Sequence, residues 1–214
     1  MKLKKEDLRL YAITDSRLLK EGQTLPEAVE EAILGGATMV QLREKNIEGD
    51  ELAALAKGVQ EVCRAHGAVF IVNDDPYLAK SIGADGVHVG QEDTDAEEAR
   101  RILGPDAIVG VTAKTVEQAK RAVAAGADYL GSGAVFGSVT KTDALPMTKE
   151  LLADITAAAG IPVVAIGGID AGNAGLLKGT GISGLAVVSG IFASEDVRGA
   201  AGKLRAIADE ICGN

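Results

Sequence analysis

Short apolar runs alternate with longer amphipathic runs from one end of the chain to the other. The short runs cover 8–14, 39–43, 69–73, 86–89, 108–111, 129–132, 163–167 and 185–188. They are rich in Val and Ile and are bounded by Gly, Asp or Asn, which marks strands. Several are apolar on both faces, as in Pro162-Val163-Val164-Ala165-Ile166. A strand buried on both sides belongs to a parallel sheet covered by helices. Between the strands, helical spacing runs over 25–34, through Leu52, Leu55, Ala56, Val59 and Val62, and over 76–82, 96–103, 116–125, 149–158, 171–178 and 196–211. Thr24 is the expected N-cap of the first helix, with Pro26 in its first turn and Glu27 three residues on. Gly36-Ala37-Thr38, Gly83-Ala84-Asp85 and Gly126-Ala127-Asp128 repeat one helix-ending phrase. In each, the Gly stops a helix in the left-handed region before a strand begins. Eight strands alternating with eight helices in 214 residues predict a single-domain (β/α)8 TIM barrel spanning 1–214. No linker or composition shift marks a second domain.

Composition narrows the function. Aromatics are 3% of the chain, there is no Trp, and the formal net charge is −9. Neither a base-stacking platform nor a phosphate-backbone binder fits those values, so nucleic acid is not an expected partner. Cys63 and Cys212 stand far apart with no CxxC, as expected of two reduced packing thiols in a cytoplasmic protein. The first nine residues are charged rather than signal-like, and no apolar stretch reaches the ~18 residues that span a bilayer. No membrane role is expected.

In a barrel of this kind the chemistry sits where strands end. Gln41-Leu42-Arg43-Glu44-Lys45 puts an amide, a guanidinium and an ammonium on one side by alternation, a set suited to an anionic ligand. The alternative is a solvated loop with Arg43 paired to Glu44 or another carboxylate. Asn73-Asp74-Asp75 and Asp93 follow neighbouring strands, and two carboxylates facing one cavity suit Mg²⁺ with substrate phosphates and water. Asp75 precedes Pro76 and reads as a helix N-cap, and Asp74 also fits a turn aspartate. His88 lies within a strand, where a packed or hydrogen-bonded ring outweighs a catalytic one. The loop 131–141 carries Gly, hydroxyls and Lys141, and its N–H groups suit a phosphate cradle. Gly167-Gly168 and Ser189-Gly190 close the seventh and eighth strands, a common phosphate site in such barrels.

These strings resemble thiamine phosphate synthase. Gln41-Leu42-Arg43-Glu44-Lys45, Val72-Asn73-Asp74-Asp75, Gly86 to Asp93, Ala165 to Ile169 and Val187-Val188-Ser189 occur in that family's order and spacing. The resemblance implies a transferase that joins 4-amino-5-hydroxymethyl-2-methylpyrimidine diphosphate to 4-methyl-5-(2-hydroxyethyl)thiazole phosphate, or its carboxylated form. Thiamine phosphate and pyrophosphate would be the products, with Mg²⁺ as cofactor and a dissociative mechanism through a pyrimidinyl-methyl cation. It implies pyrimidine-diphosphate contacts at Gln41, Leu42, Arg43, Glu44, Lys45, Asn73, Thr112 and Lys141. Of these, Arg43, Lys45, Thr112 and Lys141 would be catalytic. It implies thiazole-phosphate contacts at Ser138, Val139, Thr140, Gly168, Val188 and Ser189, and metal ligands at Asp74 and Asp93. Lys114 stands where the family commonly has His, and Gly137 where it commonly has Pro. Partners would be small phosphorylated molecules, and barrels of this kind often form homo-oligomers. The competing expectations are a thiazole tautomerase-like barrel and a non-catalytic binder of thiamine precursors.

Overall fold

The computed structural model describes residues 3–137 and 147–212. These form eight strands that close into one parallel barrel in chain order. The strands are β1 (Leu10–Ile13), β2 (Met39–Leu42), β3 (Val69–Asn73), β4 (Gly86–Val89), β5 (Ile108–Thr112), β6 (Tyr129–Gly133), β7 (Val163–Ile166) and β8 (Gly184–Val187). Around them lie α1 (Leu25–Leu34), α2 (Gly49–His66), α3 (Pro76–Ile82), α4 (Ala96–Leu103), α5 (Val116–Ala124), α6 (Lys149–Ala159), α7 (Ser189–Phe192) and α8 (Val197–Cys212).

Alternation along each strand builds two cores. Leu10, Ala12, Val40, Phe70, Val87 and Leu130 face the helices. Tyr11, Ile13, Met39, Ile71, Ile108, Tyr129 and Val164 fill the barrel interior. The barrel is therefore packed shut below its mouth, as this architecture requires. Gly110 makes the packing possible on β5, because a Cβ there would lie 2.1 Å from Cζ of Tyr129. Above these residues the inward positions turn polar. Register places Ile13 beside Gln41, Asn73 beside His88, and Thr112 beside Gly131.

The helices start where the sequence places caps. Glu27 N–H donates to Thr24, and Glu27 Oε2 accepts from Thr24 N–H at 2.8 Å. Asp75 caps α3 by accepting from Leu78 N–H at 2.8 Å. The repeated Gly phrase has positive φ at each glycine: 110° at Gly36, 66° at Gly83 and 85° at Gly126. Its third residue does a second job. Thr38 Oγ1 accepts from Leu10 N–H, Asp85 from Phe70 N–H and Asp128 from Val109 N–H, so each ties down the start of a neighbouring strand.

One expected helix is corrected. Residues 171–178 hold a single 3₁₀ turn, Ala174–Leu177. Asp170 Oδ1 accepts from the N–H groups of Gly172 and Asn173, which holds the chain in an Asx turn. Gly175 and Gly179 further weaken helix there. Leu8 ends a 3₁₀ turn, Lys5–Leu8, rather than opening β1. The short α7 was not foreseen by spacing.

Candidate active site

The C-terminal ends of the strands surround a cavity of about 410 Å³. At the end of β2 the side chains of Gln41, Arg43 and Lys45 all line it, as strict alternation requires. Leu42 points the other way, into the helix-facing core, and is 2% exposed. Glu44 lies outside the cavity wall. Its carboxylate accepts from the Thr14 hydroxyl at 2.6 Å and from Ser16 N–H at 3.0 Å, which pins the loop after β1. Arg43 makes no ion pair among the described residues, so the alternative of a solvated Arg43–Glu44 pair does not hold.

The end of β3 supplies Asn73 and Asp74. Asp74 has φ of 62°, the left-handed region that Asp tolerates better than most residues. Its N–H donates to His88 O at 2.8 Å, and its Oδ2 accepts from Asn73 Nδ2 at 2.5 Å. The strain holds the carboxyl at the mouth, as strained residues at functional sites often do. After β4, Asp93 folds back so that Oδ2 accepts from Gly90 N–H at 2.8 Å. A Cβ at Gly90 would lie 2.6 Å from that oxygen. The two carboxyls meet: Asp74 is pushed up to about 6, first by loss of water, then by its hydrogen bond with Asp93 and that group's charge. Arg43 pulls the other way on Asp74. No cluster of three or more His, Cys, Asp or Glu side chains occurs among the described residues. The carboxylate pair is thus an open set that needs oxygens from elsewhere to complete a metal shell.

Thr112 and Lys114 enter from β5, and Lys114, like Lys45, makes no ion pair among the described residues. On the opposite wall Gly167 and Gly168 have φ of 105° and 63°. A Cβ on Gly167 would lie 2.5 Å from Ala134, so the loops after β6 and β7 approach backbone to backbone. Val188 and Ser189 complete that side. Ser138, Val139, Thr140 and Lys141 lie outside the described residues.

Two tyrosines that the sequence reading did not single out join the site, Tyr11 in its lining and Tyr129 buried behind it. Tyr11 lines the cavity floor and accepts from Gln41 Nε2 at 2.6 Å. Its hydroxyl lies 2.8 Å from that of Tyr129, which lies 3.0 Å from His88 Nδ1. His88 Nε2 in turn lies 3.0 Å from Thr112 Oγ1. The expectation of a locally hydrogen-bonded His88 is met. Burial pushes the imidazole down to about 4, against a small opposing pull from Asp93. Burial also pushes both tyrosines well above the ordinary phenol range. Strand alternation gives only their direction, since Tyr11 and Tyr129 share the inward parity of Gln41 and His88; it does not give their hydrogen-bond partners.

Residues 10–191 match the sequence family described as thiamine monophosphate synthase. The chain belongs to that family. The matched region runs from the first residue of β1 into α7 and so takes in every strand of the barrel. Within the thiamine monophosphate synthase family, the chain is 48% identical to the thiamine-phosphate synthase of Ruminiclostridium cellulolyticum, over 94% of this chain and 95% of that protein. It is 44% identical to the thiamine-phosphate synthase of Clostridium tetani, over 95% and 97%. The structure of thiamine phosphate pyrophosphorylase from Pyrococcus furiosus superposes with a TM-score of 0.90 at 41% identity, covering 98% of this chain and 99% of that one. The cavity of this family member is lined by three cations, Arg43, Lys45 and Lys114, and by a carboxylate pair, Asp74 and Asp93.

Proposed function

We propose that this barrel condenses the aminopyrimidine diphosphate with the thiazole phosphate, with a magnesium ion, to give thiamine phosphate and pyrophosphate. One observation carries the reading: Arg43, Lys45 and Lys114 face the same cavity as Asp74 and Asp93, and none of the three cations is spent on a carboxylate among the described residues. Cations left free at a rim are suited to a multiply charged anion.

The donor set fits magnesium. Asp74 and Asp93 offer hard oxygens in hydrogen-bonding contact with each other, and magnesium is usually held by one or two carboxylates plus substrate phosphates. When bound, the ion supplies charge neutralisation for the departing pyrophosphate. The chain's own groups do the rest. The C–O bond to pyrophosphate breaks, and a bond forms between that carbon and the thiazole nitrogen. Arg43 and Lys45 stabilise the negative charge that gathers on the leaving oxygens. Thr112 gives a hydroxyl to the same anion. The nitrogen already holds a lone pair, so no general base is required. That suits a cavity whose one imidazole is engaged by hydroxyls on both sides. Gly167, Gly168, Val188 and Ser189 form the wall on which the thiazole phosphate would rest.

The test is direct. Purified protein given both substrates with magnesium should form thiamine phosphate and pyrophosphate in equal amounts. Addition of a chelator should abolish both. Turnover unaffected by chelation would remove the metal from the reading, and isomerisation of the thiazole alone would replace the synthase by a tautomerase.

A further inference from the structure

The hydrogen bonds on the cavity floor form one continuous chain. It runs from Gln41 on β2 to Tyr11 on β1, across the barrel to Tyr129 on β6, then to His88 on β4 and Thr112 on β5. It does not follow the strand ladder; it crosses the interior through side chains alone. The rings are held in place by packing, with Tyr11 and Tyr129 edge to face at 5.9 Å and His88 tilted over Tyr129 at 5.5 Å.

Each phenol has one hydrogen to give, and a neutral imidazole has one. With the Gln41 amide as the structure has it, Nε2 donates to Tyr11. The arrangement in which every buried hydrogen of the chain finds an acceptor then has Tyr11 donating to Tyr129, and Tyr129 to Nδ1 of His88. The imidazole hydrogen is left on Nε2 and goes to Thr112 Oγ1. The Thr112 hydrogen has no use inside the chain and is free for the cavity. At the other end, Gln41 keeps its Oε1, which takes no hydrogen bond from a described residue. The alternative arrangement reverses every bond at once. It would show the cavity an amide N–H₂ at Gln41 and a lone pair at Thr112.

We propose that Tyr11, Tyr129 and His88 are positioning residues that lock the two ends to each other: an acceptor at Gln41 and a donor at Thr112. A ligand then meets both or neither. The matching ligand gives a hydrogen bond at one end and offers an anionic oxygen at the other. An amino-substituted ring carrying a diphosphate has that polarity, a match that rests on the function proposed above. A buried network with a single consistent polarity also excludes ligands that present a lone pair to Gln41, because an unmatched buried acceptor pair is costly.

The wire is tested without turnover first. In ¹⁵N-histidine-labelled wild-type protein, the His88 ring should carry its hydrogen on Nε2, with Nδ1 bare. A ring with the hydrogen on Nδ1 overturns the proposal, whatever the enzyme's activity. The second arm uses pyrophosphate with magnesium as the binding probe and a cycle of Tyr129→Phe, Thr112→Val and the double variant. Tyr129→Phe should weaken pyrophosphate about tenfold, the scale of one hydrogen bond. It should do nothing further in the Thr112→Val background. Independent, multiplicative effects would mean that the wire does not act through Thr112. Tyr11→Phe cuts the same chain one link earlier and should reproduce the result, which guards against a folding defect peculiar to position 129. If the wild type binds pyrophosphate but makes no thiamine phosphate, the functional reading falls while the wire stands or falls on these two arms.

Discussion

Asp93 keeps its place because position 90 has no side chain. A methyl group there would come 2.6 Å from the carboxylate oxygen that Gly90 N–H holds. Gly90→Ala should therefore leave the melting temperature nearly unchanged while raising the magnesium needed for half-maximal activity about ten- to hundredfold. An unaltered magnesium requirement would separate Asp93 from the metal. His88 and Asp74 make opposing demands on protons. The folded imidazole titrates at about 4 rather than 6.5, so its contribution is complete above pH 6.5 and is lost as pH falls toward 4. The loss amounts to about 3 kcal/mol. Asp74 is raised to about 6, so protonating it favours the folded state as pH falls below that value. In metal-free protein the two effects offset each other below pH 6. Asp74→Asn should uncover the full decline between pH 6.5 and 4 in denaturant titrations. Parallel profiles for the two proteins would refute the pairing. Asp74 and Asp93 were legible as a pair because they follow adjacent strands, whose ends a parallel barrel brings side by side. Tyr11 and Tyr129 were not, because an inward aromatic looks the same whether its hydroxyl meets a partner or is absent.

At the scale of elements, the strands, most helices and their caps follow from local chemistry. Thr24 and Asp75, the two caps read from the sequence, each accept from the N–H three residues on, and Asp95, Thr115 and Thr148 do the same at three further helices. The region 171–178 misled because its apolar spacing is helical while an Asx turn and glycines hold it otherwise. Competition between a side chain and the helix for the same N–H groups decides such cases. The strand anchors are the device that pattern reading passed over. Asp128 takes Val109 N–H at 2.8 Å and also pairs with Arg100 at 2.6 Å. Asp128→Ala would leave an N–H and a guanidinium without this partner at the closed end of the barrel, far from the mouth. We expect a loss of about 2 kcal/mol in unfolding free energy with kcat unchanged. A fall in kcat at full stability would show that the anchor reaches the site.

For the whole molecule, closure of β8 onto β1 is what turns eight separate strand ends into one cavity. No helix among the described residues is long and apolar enough to cross a membrane. Because the carboxylate pair needs further oxygens, pyrophosphate and magnesium should stabilise the fold only together. At about a hundred times the dissociation constant the gain is ~2.7 kcal/mol, or roughly 5–10 °C in melting temperature for a chain of this size. Equal shifts with either component alone would argue against a shared site. Periodicity of 2 and 3.6 along the chain was enough to reach the barrel, its polar mouth and the charged strings at Gln41–Lys45, Asn73–Asp74 and Asp93, because these depend on neighbours in sequence. Which of those groups meet is a different matter. Leu42 and Glu44 leave the cavity while Tyr11 enters it, and five residues from five strands share one line of hydrogen bonds. The contact of Tyr11 with Tyr129 across the closed barrel joins positions 118 residues apart, and no local pattern encodes a distance that exists only once the last strand has paired with the first.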